Sequence, residues 1–385
     1  MMQKKYIFIG LLSSLQLSYG QQDSLPKKEN PFHFEASYVG DAYTNVVGGL
    51  KRGAGYMGMG NLTIGFDAEK ARWWKGGSFF INGATIHGTS SSENFAGDLQ
   101  VASNIDAGTY VYMHELWFRQ EFEKISFTLG LQDLNAEFMV TENGAEFINS
   151  SFGVPPTISG NIPVPIFPLT GLGVSAKWNI NEMFSWQNAV FDGCQNPFEH
   201  NPHNLQWNFD ENDGLLLMTE FHANTQFKNF DGMYKVGGFY HSGVKEFDYE
   251  SRTMDYVFRH NYGFYALIDQ TLMYNEAKKQ KIGVFSQAAF SPKHKNEHAY
   301  YFGFGANYYG IFSKKGKDVL GLAVAHLDLH RTSHKHETTI ELYYKYQIND
   351  NIAIQPDIQY IINPSGTDAK LPNALLGILR VYINF

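Results

Sequence analysis

The sequence predicts an all-β fold: a transmembrane antiparallel β-barrel of about sixteen strands with one long loop folded into the lumen. Three observations carry this. Apolar and polar residues alternate with period two in segments of about ten residues, and helical periodicity is nearly absent. Long and short connections alternate along the chain. The N-terminus carries an export signal, and the chain ends on an aromatic residue, Phe385.

The export signal comes first. Lys4 and Lys5 precede an apolar run from Tyr6 to Leu12, and Ser18-Tyr19-Gly20 supplies a small-x-small cleavage pattern before Gln21. A charged start, a short apolar core and a small-residue end make a secretory signal peptide over residues 1–20. The apolar run is too short to span a bilayer as a helix, and no other stretch reaches ~18 consecutive apolar residues. Residues 21–385 are then the barrel, beginning with a polar lead-in to Pro31 that is too short for a plug domain.

Composition agrees. The chain is 16% aromatic, with 37 Gly and only 13 Pro. Barrels need aromatics at the two membrane interfaces and polar residues facing inward. The lone Cys194 excludes an intramolecular disulfide and a small disulfide-stapled secreted domain. The net charge of -8 becomes -10 once Lys4 and Lys5 leave with the signal peptide. So acidic a chain argues against nucleic acid as a partner.

The strands follow from the alternation. Ile125, Phe127, Leu129 and Leu131 share one face, with Ser126, Thr128 and Gly130 on the other. Thr338, Ile340, Leu342, Tyr344 and Tyr346 alternate with Thr339, Glu341, Tyr343, Lys345 and Gln347. At the end, Leu379, Val381, Ile383 and Phe385 alternate with Arg380, Tyr382 and Asn384. The expected spans are 32–46, 55–67, 77–88, 109–122, 125–133, 171–180, 183–192, 214–225, 232–243, 259–270, 281–290, 299–310, 319–329, 336–348, 351–362 and 375–385. Short turns at Glu123-Lys124, Asn181-Glu182, Asn349-Asp350 and near Lys278 and Lys315 alternate with long links at Thr89–Gly108, Leu134–Thr170, Gly193–Asp213 and Val244–Phe258. Short periplasmic turns against long extracellular loops are the outer-membrane pattern.

Strand phase then sorts the charged residues. Leu116, Phe118 and Phe122 suit lipid, so Glu115, Trp117, Arg119 and Glu121 point into the lumen. An Arg or Lys facing lipid near the midplane costs roughly 2–4 kcal/mol. The same cost turns Lys345 and Arg380 inward, and the same alternation turns Glu341, Asp357 and Gln359 inward. Such charges either bind solute or hydrate the wall and pair with one another.

The segment Leu134–Thr170 is too long for a hairpin loop. It carries Phe138, Phe147, Ile148, Phe152 and Phe167 with five prolines. Aromatics seek burial and prolines reduce the freedom lost on ordering, so the segment is expected to fold into the barrel and narrow it. The alternative is a cap over the mouth. Gly193–Asp213 adds Phe198, Trp207 and Phe209 with Asn196 and Asn204. His330, His334 and His336 cluster on one loop and His200 and His203 on another, without the acidic or cysteine partners that would argue for a metal. No metal and no cofactor is expected. There is no G-x-S-x-G elbow and no phosphate-binding glycine loop.

With these residues in view, the chain resembles the carbohydrate-selective porin family (OprB type). The stretch HELWFRQEFEKISFTLGLQDLNAEFMVTENGAEFINSSFGVPP, His114 to Pro156, is similar to that family's strand pair and constriction loop. IQPDIQYIINPSG (Ile354 to Gly366) and GILRVYINF (Gly377 to Phe385) are similar to its closing strands. The region Val236–His298 matches no such motif. The resemblance implies a sixteen-stranded barrel with inward-folded loops and passive uptake of small sugars. It implies that Glu115, Arg119, Asp133, Glu137 and Asn149 lie near the constriction. Trp117 and Arg380, inward by phase, and Phe147, on the loop, complete the expected substrate-contacting set. The expected location is the outer membrane of a Gram-negative bacterium. The expected partners are small sugars, outer-membrane lipids and the barrel-assembly machinery, with the chain a monomer or homotrimer. Competing readings are a general diffusion porin, an outer-membrane hydrolase using the loop histidines, and a surface adhesin.

Overall fold

The computed structural model describes residues 30–207, 213–227, 230–243, 260–330 and 333–385. The expected signal peptide, lead-in residues 21–29, Phe209 and the link 244–258 lie outside the described residues. Sixteen strands form one closed barrel in which every strand is antiparallel to both neighbours. In chain order they are β1 (Phe32–Val47), β2 (Gly53–Asp67), β3 (Gly77–Gly88), β4 (Tyr110–Glu121), β5 (Ile125–Gln132), β6 (Gly171–Asn179), β7 (Phe184–Asp192) and β8 (Leu215–Phe227). There follow β9 (Phe230–His241), β10 (Asn261–Asn275), β11 (Gln280–Phe290), β12 (His298–Tyr309), β13 (Asp318–Leu329), β14 (His336–Gln347), β15 (Ile352–Ile362) and β16 (Ala374–Asn384). Closure pairs β1 with β16 from Ser37↔Asn384 to Val47↔Leu375, and Phe385 N–H donates to Ala36 C=O at 2.8 Å. A closed ring leaves no edge strand, so every backbone group at membrane depth has a partner in the wall.

The alternation read in the sequence is the alternation of wall faces. Leu62, Phe264, Phe302, Phe304, Leu322 and Ile358 stand exposed on the outer surface, where lipid covers them. Asp41, Gln287, Thr339, Glu341, Gln355 and Gln359 are buried on the inner surface. One strand end departs from expectation by more than two residues. β10 runs to Asn275 rather than 270, because Leu272 is an extra residue between the pairs Thr271↔Gly283 and Met273↔Ile282. A bulge of this kind breaks the two-residue phase while the strand continues. β2 begins at Gly53 rather than 55, so the link 48–52 on the long-loop side is shorter than the turn 68–76 opposite.

The lumen is filled from one rim. Residues 133–170, between β5 and β6, run along the inner wall with three short 3-10 turns and one α-helical turn at Pro156–Ser159. Their apolar side chains (Leu134, Phe138, Met139, Phe147, Phe152, Ile158) pack on Phe191, Leu216, Phe239, Phe285, Tyr301 and Tyr343 of the wall in one continuous cluster. Residues 89–109, between β3 and β4, form a second inward loop, with Ala96 and Ala102 against Ile361, Ala374 and Leu376. The two loops join through Asn104 N–H to Ile148 C=O and Ser150 N–H to Val101 C=O.

Candidate functional site

A loop inside a barrel must satisfy its backbone polar groups away from bulk water. Here the wall supplies the partners. Glu220 on β8 accepts Met139 N–H at 2.9 Å, Asp269 on β10 accepts Asn143 N–H at 2.8 Å, and Glu341 on β14 accepts Ile148 and Asn149 N–H at 2.6 and 2.9 Å. Donors serve the carbonyls. Lys235 Nζ reaches Val140 O at 2.7 Å, Gln355 Nε2 Glu146 O at 3.0 Å, Tyr301 Oη Ser151 O at 2.8 Å and Gln287 Nε2 Phe152 O at 2.7 Å. Glu337 does the same for the second loop, accepting Leu99, Gln100 and Ser365 N–H. Gly283 on β11 lets Asn143 close on the wall, since a Cβ there would collide with the Asn143 amide.

This fastening accounts for three of the expected site residues. Phe147 is 2% exposed, with ring centroids 5.1 Å from Phe152, 5.4 Å from Phe285 and 4.9 Å from Tyr343. Asn149, 1% exposed, accepts Ser151 N–H and donates to Gln359 at 3.2 Å. Arg380 binds Asp41 with two hydrogen bonds, at 2.7 and 2.8 Å, and Ser103 Oγ with a third at 3.1 Å. All three anchor loops to wall.

The other five come together on the opposite sector. Arg119 on β4 donates through Nε to Thr128 at 2.8 Å and through Nη2 to Glu137 at 2.5 Å. Its guanidinium lies 5.0 Å from the Trp117 ring centre, and Trp117 stacks on Phe80 at 4.9 Å. Trp117 Nε1 donates to Glu115 at 3.1 Å. Asp133 caps the start of the loop by accepting Asn135 N–H at 2.8 Å, and its other oxygen lies 3.5 Å from His114 Nε2. The Glu137 side chain retains 35% exposure and that of Arg119 17%, so this polar group is open to water as the anchors are not. A second ion pair, Lys345 to Glu146 at 3.0 Å, stands between β14 and the loop. Of the remaining inward calls, Glu121 is exposed near the short-turn end.

His114 is the residue that simple alternation misses. Counting back from Trp117 by twos gives Glu115 and then Met113 as inward. The β3–β4 register instead steps from Asn82↔Glu115 to Gly83↔Met113, which leaves His114 as an extra residue. The phase resets there, and His114 and Tyr112 are buried while Met113 is not. The histidine pairs weighed as metal ligands have other partners: His336 bonds Asn363 at 2.8 Å, His334 Thr367 O at 2.7 Å, and His203 Val111 O at 2.7 Å. Among the described residues no group of three or more His, Cys, Asp or Glu could hold a metal ion.

In the second loop, burial pushes the Asp98 carboxyl up to about 6, with Asp106 adding like charge. Burial raises Asp106 as well, against hydrogen bonds from Ser90, Ser91 and Ser92 that hold it down.

Comparison with known proteins bears on the whole barrel. Residues 51–385 match the family model described as carbohydrate-selective porin, OprB family. Porin B of Pseudomonas aeruginosa is 22% identical over 421 residues, covering 93% of this chain and 88% of that one. Among solved structures, the high-pH structure of Pseudomonas putida OprB superposes with a TM-score of 0.81 at 20% identity, over 92% of this chain and 94% of the other. The low-pH structure of the same protein gives 0.61 at 17% identity, over 92% and 93%. An OmpT loop-deletion variant of Vibrio cholerae gives 0.56 at 9% identity, over 92% and 100%.

Proposed function

The chain belongs to the OprB family of carbohydrate-selective porins, and from that premise we infer that the β4–β5 sector is where a sugar touches the channel wall. The protein is a channel of the Gram-negative outer membrane and takes up small carbohydrates by passive diffusion through a constricted aqueous path. The observation that supports the assignment of the contact site is the juxtaposition of Trp117 with the half-open Arg119–Glu137 pair. A sugar has two kinds of surface. Its hydroxyls want charged and amide partners, and its ring C–H face wants an aromatic plane. The stacked Trp117–Phe80 pair offers the apolar surface, through the half-buried Phe80 and the 9% of Trp117 that stays exposed, and Arg119, Glu137, Asp133 and Glu115 offer the hydrogen bonds. The anchors elsewhere are closed to solute because the loops already use them.

Such a contact is weak by design. Every group stays partnered in the empty channel, so a sugar exchanges hydrogen bonds instead of filling vacancies, and it leaves as readily as it enters. Purified protein in a planar bilayer should conduct ions, and D-glucose should reduce that current in a saturable way. Trp117→Ala should raise the half-blocking glucose concentration about tenfold, the scale of one aromatic contact. A conducting channel that glucose does not block would overturn the sugar reading and leave a general diffusion porin.

A further inference from the structure

Two neighbouring polar atoms on the inner wall, on adjacent strands, have no hydrogen-bond partner. Asn82 Oδ1 on β3 and Tyr112 Oη on β4 are buried without a hydrogen-bond partner, in side chains only 7% and 4% exposed. Buried polar groups are nearly always satisfied, so each such atom calls for a ligand. The two are neighbours. Asn82 pairs with Glu115 across the strands, and Tyr112 pairs with Ala84, the next inward residue after Asn82. The bulge at His114 brings Tyr112 onto this face, and the Tyr112 and His114 ring centroids lie 5.8 Å apart. Both orphans sit on the long-loop side of Trp117, where a solute from outside arrives before it meets the Arg119–Glu137 pair.

Above them lies a cover. Phe198, from the link between β7 and β8, stacks on Tyr110 at 4.1 Å and 18°, and meets Tyr112 edge-on at 5.0 Å. The cover is tied by hydrogen bonds and by apolar packing of Phe198 with Ala84, Ile86 and Tyr112, against which Phe167 and Leu169 of the long loop also lie. Asn204 Nδ2 donates to Met113 O at 3.0 Å, Met113 N–H donates to His203 O at 3.0 Å, and His203 Nδ1 contacts Val111 O at 2.7 Å. Lifting the cover means exchanging these bonds with water and uncovering the Phe198 ring, whose place the C–H face of a sugar would take.

The geometry points to a second polyol subsite at Asn82 and Tyr112, capped by Phe198, upstream of the Trp117 contact. It rests on the reading of the channel as a sugar path. A sugar ring takes the face of Tyr110 that Phe198 now covers. One hydroxyl donates to Asn82 Oδ1, which only accepts, and another exchanges with Tyr112 Oη, which does both. An anion is disfavoured here, because Glu115 pairs across the strands with Asn82 and the charge of Asp133 reaches Tyr112. The subsite therefore sorts solutes by their hydroxyls before they reach the charged pair.

The test uses the full protein in planar bilayers, with glucose block of the ion current as the readout. Tyr112→Phe and Asn82→Leu remove the two atoms while nearly keeping side-chain shape. Together they should raise the half-blocking glucose concentration about five- to tenfold, with sugar-free conductance unchanged. Phe198→Ala should lower that concentration by opening the Tyr110 face. Because neither atom has a protein partner, the double variant should unfold in heat-modifiability gels at the same temperature as the parent or above it. A lower unfolding temperature would mean the atoms serve the fold and would overturn the subsite. Unchanged block in the double variant, with block weakened by Trp117→Ala, would also overturn it while leaving the proposed function intact. A parent channel that glucose does not block defeats both.

Discussion

Two sectors of the inner wall face the same loop and treat it differently. Along β7–β15 the wall side chains are spent on the loop: carboxylates take its N–H groups, amides and hydroxyls take its carbonyls, and aromatics bury its phenylalanines. Along β3–β5 the loop is held differently: Arg119 pairs with the half-open Glu137, Asp133 and Thr170 meet His114, and Phe167 lies edge-on to the His114 ring. The first sector fixes the place of the loop, and the second is where we propose that solute makes contact. The lesson is that a polar inner face does not by itself mark a transport site. What marks one is partnered polarity that stays open to water, as Glu137 and Arg119 do.

The contrast can be broken from either side. Phe147→Ala should have the largest effect, because it empties the aromatic contact with Phe152, Phe285 and Tyr343. A buried Phe→Ala costs about 3–5 kcal/mol. The expected outcome is a sharply lower unfolding temperature and a noisier, larger conductance, while the glucose ranking in liposome swelling keeps its order. Glu341→Gln comes next. It keeps the volume but offers one acceptor oxygen to two N–H groups, at a cost on the order of 1–3 kcal/mol. Single-channel recordings should show brief excursions to a wider state as residues 148–149 detach. Arg119→Ala, on the other sector, should leave unfolding nearly unchanged and shift ion selectivity towards cations, read as a reversal potential in a salt gradient. A large fall in stability there would erase the distinction between the sectors.

The smallest effect concerns the second loop and pH. Asp98 titrates at about 6 in the folded protein, above its ordinary 3.8, with Asp106 and Glu337 as its acidic neighbours. A carboxyl raised on folding contributes stability that is fully present below the lower value and lost as pH climbs through the higher. The loop 89–109 should therefore seat most firmly near pH 4 and loosen as pH rises through about 6. Current noise across that window should rise in the parent and stay flat in Asp98→Asn.

The barrel was legible because lipid on one side and water on the other impose a two-residue rhythm that nothing local overrides. The misreadings fall where that rhythm slips. Leu272 shortened the expected β10, and the extra residue on β4 hid His114 and Tyr112 from the lumen. The site was only half legible for a different reason. The motif brought Glu115, Trp117, Arg119, Asp133 and Glu137 to notice, and they do assemble. Phe147, Asn149 and Arg380 looked equivalent to them, but which loop residues meet wall is decided by strands far along the chain. Ile148 finds Glu341 across 193 positions, and no local pattern carries that information.

Those separations also set an order in time. The loop 133–170 belongs to the first half of the chain, yet its fastenings arrive in turn: Glu220 lies 81 residues after Met139, Asp269 lies 126 after Asn143, and Glu341 lies 193 after Ile148. Leu99 waits still longer, 238 residues, for Glu337. Neither loop can take its final place until β14 has joined the wall, so the narrow passage is the last part of the molecule to acquire its shape. A chain stalled short of its final strands would be an open sheet with both loops unfastened, so the strands that close the ring on β1 also bring the partners that set the bore.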